Sequence, residues 1–217
     1  MKIGILADIH EHVINLRSAI EHLRREKVDQ IVVLGDVFEM GERIHETTDV
    51  LLEEEVIGVW GNHELAFCVD PEPQVVSKYG DRVCGFFRSL KPSLEIDGVR
   101  FSHGMPTWDA RNAEVFYLGD PPWTPGSLDP LWREFDHPLF LIGHFHRWLV
   151  STPEATLTRN ACEPVRFEAG QRYLVVIHAV CEGWCAVLDT ETHQITPHSI
   201  ANGHATPPLS AMAKRRS

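Results

Sequence analysis

The sequence predicts an α/β fold, and two observations carry that prediction. Short apolar runs alternate with amphipathic stretches in the first 65 residues, and five apolar runs spread along the chain each end in Asp, Asn or His. Alternation of this kind implies parallel strands joined by crossover helices. "KIGILADIH" (residues 2–10) is an apolar run that turns polar, and "VINLRSAIEHLRREK" (13–27) follows with Val13, Leu16, Ile20 and Leu23 at helical spacing. "QIVVLGD" (30–36) repeats the strand. "ETTDVLLEEE" (46–55) reads as a second helix capped by Thr47, Thr48 or Asp49, and "VIGVWGNHE" (56–64) as a third strand. After Leu65 a helical stretch near residues 72–89 precedes "SLEIDGVRFSHG" (93–104), a hairpin through Asp97-Gly98. The remainder reads as mostly β. "PLFLIGHFH" (138–146), "RYLVVIHAV" (172–180) and "WCAVLDTETHQITPHSI" (184–200) are strands, the last a hairpin turning around Glu191 to His193. The polar, proline-bearing stretch from Ala201 to Ser217 is expected to fray.

A chain of 217 residues that is 43% hydrophobic and 24% charged can bury a sizeable core, and residues 1–200 are expected to form one domain. The run "IGILA" is too short for the hydrophobic region of a signal peptide, and no stretch approaches the roughly 20 apolar residues of a membrane span. A cytoplasmic protein with no membrane partner is the expectation. Five cysteines, odd in number and without C-x-x-C, suggest neither a disulfide framework nor a zinc knuckle. Cys181 and Cys185 with His178 lack a fourth ligand and read as core packing. A formal charge of -11 argues against non-specific binding of nucleic acid, although a bound divalent cation reverses the sign locally.

The strand ends carry the chemistry. They read Asp8-Ile9-His10, Gly35-Asp36, Gly61-Asn62-His63-Glu64, His103-Gly104 and Gly143-His144-Phe145-His146. One Asp or His at a strand end is more often a turn or cap residue than a ligand, but five ends bearing such residues point to one crevice, because the carboxyl ends of parallel strands line the ligand site. Side chains two apart on an extended segment share a face, so Asp8 with His10 and His144 with His146 can each act as a pincer. Aspartate, asparagine and imidazole without thiolate suit divalent ions of intermediate hardness. Asp8, His10, Asp36, Asn62, His103, His144 and His146 are more donors than one ion needs, and two ions sharing a carboxylate fit them better.

D-x-H, G-D, G-N-H-E, an isolated H-G and G-H-x-H, in that order over roughly residues 1–200, resemble the calcineurin-like metallophosphoesterase superfamily. The resemblance implies a four-layer α-β-β-α sandwich, two mixed sheets packed face to face with helices outside, and a dinuclear metal centre at one edge. It also implies that Asp8, His10 and His146 hold one ion, that Asn62, His103 and His144 hold the other, and that Asp36 bridges them. Mn²⁺ is the first choice of metal, with Fe, Zn, Ni or Mg as alternatives. Two such ions lower the pKa of a shared water, clamp the phosphoryl oxygens and offset charge in an in-line displacement. His63 matches the family's catalytic histidine that binds no metal, and histidine as a residue type suits a general acid for the leaving alkoxide.

Substrate class follows from departures. Ala7 and Glu11 flank D-x-H where phosphoprotein phosphatases have glycines, and in "GDVFEMG" Met40 stands where those enzymes place a phosphate-binding arginine. The chain looks more like the small bacterial and archaeal branch, so a phosphodiesterase acting on a small substrate such as a cyclic nucleotide comes first. A phosphomonoesterase, a nucleotide pyrophosphohydrolase or a phosphoprotein phosphatase is the alternative, and a non-catalytic metal-binding scaffold is disfavoured by the intact donor set. Glu11 is expected to narrow or charge the pocket, and Glu39, three residues after Asp36, is a candidate partner that orients His63. Residues 105–135, with Trp108, Trp123 and Trp132 among prolines, read either as a lid that stacks a base or as a loop packed on its own body. Arg43, Arg111 and Arg147 are weaker candidates for phosphate contacts. Both a monomer and a homodimer remain open.

Overall fold

The computed structural model describes residues 1–69, 71, 73–157 and 163–200. β1 (Lys2–Leu6), α1 (Val13–Glu26), β2 (Gln30–Leu34), α2 (Ile44–Glu53) and β3 (Ile57–Val59) alternate as the sequence predicts. A 3-10 turn (Asn62–Glu64), α3 (Leu65–Cys68) and α4 (Pro73–Ser89) lead into the hairpin β4 (Leu94–Ile96) and β5 (Val99–Ser102). Next come α5 (Ala113–Leu118), α6 (Asp129–Glu134), β6 (Leu139–Ile142), β7 (Leu149–Ser151), β8 (Thr156–Leu157) and β9 (Val165–Arg166). β10 (Tyr173–Val176), β11 (Trp184–Asp189) and β12 (Gln194–Ser199) complete the described chain. Among the described residues no helix is long and apolar enough to cross a membrane.

These strands form two six-stranded mixed sheets, in the orders β3-β2-β1-β11-β12-β9 and β4-β5-β6-β10-β7-β8. Strand alternation divides the side chains between layers. Ile3, Ile5, Val32 and Leu34 of the first sheet meet Phe101, Leu141 and Val175 of the second in a buried inter-sheet core. On the outer side of the first sheet, Leu6 and Val33 pack beneath Leu16 and Leu23 of α1, Leu51 of α2 and Phe87 of α4. Phe140, Ile142, Leu174 and Val176 of the second sheet are covered by Met105, Leu128 and Leu131. The result is the four-layer sandwich that the resemblance implies.

Three local readings need correction. α2 starts at Ile44, and Arg43 at its N-cap makes no side-chain cap bond. Thr47 and Thr48 lie inside the helix, where their hydroxyls donate to the carbonyls of Arg43 and Ile44, a bond that competes with their role as caps. α4 breaks at Gly80, whose φ of 79° and ψ of 165° are not helical. The segment between β5 and β6 contains α5 and α6 and supplies the outer layer of the second sheet, so most of residues 105–135 is packed structure. The stretch from Ala201 lies outside the described residues.

Candidate metal centre

All five predicted strand ends meet at one edge of the sandwich. β1 and β2 run parallel, as do β5 and β6, and the loops that leave them stay paired. The N–H groups of Asp8 and His10 donate to the carbonyls of Gly35 and Asp36, and that of Gly143 donates to His103. Packing two loops this tightly forces unusual backbone. Asp8, His10, Asp36, His144 and His146 all have positive φ, between 45° and 69°. Such left-handed conformations carry strain outside glycine, although Asp and His tolerate them better than most residues. Glycine is required beside them. A Cβ on Gly61 would lie 2.1 Å from Asp36 Oδ1, and one on Gly35, where φ is +88°, would lie 2.7 Å from His103 Nδ1.

The side chains of these strand ends gather in groups. Asp8, His10 and His146 form one group of atoms close enough to share an ion, and Asp36, His103 and His144 form another. His10 Nε2 is 3.2 Å from His146 Nε2, and His103 Nε2 is 3.2 Å from Asn62 Oδ1. The two oxygens of Asp36 face opposite ways, Oδ1 being 3.3 Å from His103 and Oδ2 3.7 Å from His10. Each of the four imidazoles has its outward nitrogen held by an acceptor. His10 Nδ1 donates to Glu39 at 2.8 Å, His103 Nδ1 to the Leu34 carbonyl at 2.6 Å, and His144 Nε2 to the Phe116 carbonyl at 2.9 Å. His146 Nδ1 donates to Glu182 at 3.3 Å. A hydrogen bond on one nitrogen fixes the tautomer and leaves the other as a lone-pair donor, which is how metal-binding imidazoles are held.

Over residues 1–178 the sequence matches the family model described as calcineurin-like phosphoesterase. The chain belongs to that family. As a member it is a metallophosphoesterase, a hydrolase acting on phosphoesters. It is similar to a metallophosphoesterase from Sphaerobacter thermophilus, with 22% identity and a TM-score of 0.68 over 93% of this chain and 88% of that one. A structure described as that of an archaeal phosphodiesterase aligns with a TM-score of 0.53 at 20% identity, covering 92% of this chain and 99% of the other. An uncharacterized protein of Methanocaldococcus jannaschii is 23% identical over 190 residues, which span 80% of this chain and 73% of that protein.

Charges in the phosphoesterase cluster perturb one another strongly. Burial raises Asp8 to about 6, opposed by His103 and His146. Burial also works against ionisation of Asp36, yet the charge and hydrogen bond of His103 hold it well below the usual carboxylate range. His103 responds in kind: burial lowers its pKa, but Asp36 and Asp8 lift it to about 9. His146, also opposed by burial, is raised to about 11 by its contacts with Cys181, Glu182 and Asp8. His144, half-buried and facing His103, falls to about 4 through desolvation and then the His103 charge. A divalent cation at this edge would replace the protons that these carboxylates draw onto His103 and His146.

Several side chains of the phosphoesterase differ from their sequence readings. Glu11 is buried and turned to the backbone of the neighbouring loop. Its carboxylate accepts the N–H groups of Glu39, Gly41 and Arg43 at 2.7–3.0 Å, which shapes the loop that carries Glu39. Glu39 hydrogen-bonds His10 and stands 3.4 Å from His63 Nδ1, so it serves two imidazoles where the sequence suggests one. Trp108 packs on Phe116 and Phe145, and Trp132 packs on Phe140. Trp123 alone of the three is exposed, with Arg147 4.1 Å above its ring. Arg43 is paired with Glu46 at 2.7 Å, and Arg111 is exposed.

Two carboxylates at this edge escaped the sequence reading. Glu64, the last letter of G-N-H-E, is fully buried, and its carboxylate accepts the N–H groups of Asp36, Val37, Phe38 and Gly61 at 2.7–2.9 Å. It ties the end of β2 to the end of β3. Burial and then Asp36 push its pKa up to about 7. Glu182 follows β10, whose continuation crosses between the sheets: the Ile177 N–H donates to Ile142 and the Val180 N–H to Ala7. That crossing makes a sixth terminus at the site. "RYLVVIH" followed by an acid carries its signal, but Cys181 and His178 read as core from sequence and hid it. Cys181 is instead half-buried beside His146, and only Cys185 is core.

Proposed function

We propose that the protein is a phosphodiesterase working with two divalent ions, one held by Asp8, His10 and His146, the other by Asn62, His103 and His144, with Asp36 shared. The opposed oxygens of Asp36 carry this reading, since one carboxylate facing two separate histidine groups is what a bridging ligand requires. The residues fit such ions: oxygen and imidazole donors without thiolate suit Mn²⁺ first, and every histidine has its outer nitrogen anchored. When bound, the ions would acidify a water and offset charge on the phosphoryl oxygens.

The chain supplies the remaining chemistry. His63 stands beside the donor groups, with Nε2 3.9 Å from Asp36 Oδ2, and its imidazole is part-exposed where a leaving group would depart. It donates the proton that a leaving alkoxide needs. Glu39 orients it through the contact at Nδ1. The preference for diesters rests on the missing cation. Met40 is 72% exposed where related phosphatases have arginine, Arg43 is tied to Glu46, and Arg147 lies over Trp123. A monoester dianion would find its second charge unmet, whereas a diester, such as a cyclic nucleotide, carries one charge. The test compares bis-p-nitrophenyl phosphate with p-nitrophenyl phosphate in Mn²⁺. A higher kcat/KM for the diester is expected, and the reverse order would overturn the assignment.

A further inference from the structure

The two donor groups differ in what stands behind them. In the Asp8, His10, His146 group both imidazoles donate to carboxylates, His10 to Glu39 at 2.8 Å and His146 to Glu182 at 3.3 Å. In the Asn62, His103, His144 group both donate to neutral backbone carbonyls, those of Leu34 and Phe116. The direct donors add to this contrast, because Asp8 is charged and Asn62 is not, while Asp36 is common to both. Among the unshared donors and the acceptors behind their imidazoles, the first position therefore gathers three carboxylates, Asp8, Glu39 and Glu182, and the second gathers none. A carboxylate behind an imidazole makes the facing nitrogen a stronger donor than a carbonyl does, and it also adds its charge to the field at the cation.

Resting on the two-ion reading above, we infer that Glu182 and Glu39 are positioning residues that make the Asp8, His10, His146 position the tighter of the two, so that the ions load in order. Glu182 is well placed for this work. Its Oε1 faces His146, its Oε2 lies 3.9 Å from His178 Nδ1, and His178 is itself stacked on Trp184. The carboxylate is thus held by His146 at the rim, and it has no part in the inter-sheet core.

The experiment titrates chelator-stripped protein with Mn²⁺, following free ion by its electron paramagnetic resonance signal. Wild type should bind two ions with separate affinities. Glu182→Gln should weaken the tighter ion by about 10–100-fold, the usual range for such outer partners, and leave the weaker one in place. Glu182→Asp should recover part of the loss, which a merely structural role would not predict. Glu39→Gln should move the same ion, and Asn62→Ala should move the other. Circular dichroism melting of each variant verifies that it folds. Wild-type affinities in folded Glu182→Gln, or weakening of the looser ion instead, overturn the inference. Wild-type protein that binds one ion or none overturns the two-ion reading itself.

Discussion

The two ends of the sandwich handle backbone strain differently. Away from the donors, positive φ falls on Asp97, Gly98 and His193, in hairpin turns whose strands ask for it. The surfaces there are apolar, and Val99, Leu139, Phe167 and Leu188 line a cavity of about 290 Å³. At the donor end, positive φ falls on the candidate ligands Asp8, His10, Asp36, His144 and His146, and on Glu11 beside them. Glycines beside them admit no Cβ, and a buried carboxylate on Glu64 holds the backbone in place. Strain at one end is the ordinary geometry of a turn. At the other it aims side chains, and the surrounding structure holds it there.

The sharpest way to break that contrast is to alter the shared carboxylate. Asp36→Asn should weaken both ions, and the loss of activity should exceed about 100-fold, beyond what outer partners cost. Elemental analysis of the remetallated variant measures it, and loss of a single ion would mean that Asp36 serves only one position. A matched pair of glycine substitutions compares the ends directly. Gly61→Ala drives a methyl into Asp36 Oδ1, and a ligand displacement near 1 Å should cost about 100-fold in kcat/KM. Gly98→Ala meets nothing within 4 Å and should cost only about 1 kcal/mol of stability for its positive φ, with activity retained. Equal effects on activity would abolish the distinction. Glu64→Gln replaces an acceptor of four N–H groups by an amide with one oxygen, and urea unfolding should register about 3 kcal/mol.

Much of this was legible in the sequence because the signals were local. The alternating start, the Asp97-Gly98 turn and the five polar strand ends are each readable within nine or so residues, and they pointed to the side chains that gather at this edge. What stayed hidden depends on partners distant in sequence. Glu182 meets His146 across 36 positions and Glu11 meets Arg43 across 32, through hydrogen bonds that no periodicity encodes. α5 and α6 are helices of six residues each, too short for an apolar stripe to show, and they form because Leu131 packs on the second sheet and Phe116 packs on Trp108 and the His103 and His144 rings.

Proton linkage sharpens the electrostatic side of the contrast. His103 and His146 are raised to about 9 and about 11, so near pH 7 both hold protons that an ion must displace. Raised ligand pKa values mean that affinity grows as pH rises toward those values and falls as pH drops. Calorimetry of Mn²⁺ binding in buffers of different ionisation enthalpy should therefore detect proton release at pH 7. Binding heats independent of the buffer would show that the imidazoles are already neutral.

The smallest expected loss of activity at the donor end belongs to Glu39, which touches both a candidate donor and the proposed acid. A carboxylate 3.4 Å from His63 Nδ1 fixes the direction of the imidazole, while the shorter bond to His10 would give the same side chain a hold on metal. Glu39→Gln should then lower kcat about tenfold even at saturating Mn²⁺, once its metal defect is filled. The loss should shrink for substrates with good leaving groups, which need little proton donation. His63→Ala should show the same leaving-group dependence more strongly, within the range of about 10²- to 10⁴-fold that a general acid contributes. Because both residues act on one proton, adding Glu39→Gln to His63→Ala at saturating metal should cost little more. Fully multiplicative losses in the double variant would mean that Glu39 works through His10 alone, and would leave His63 unassisted at the edge of the site.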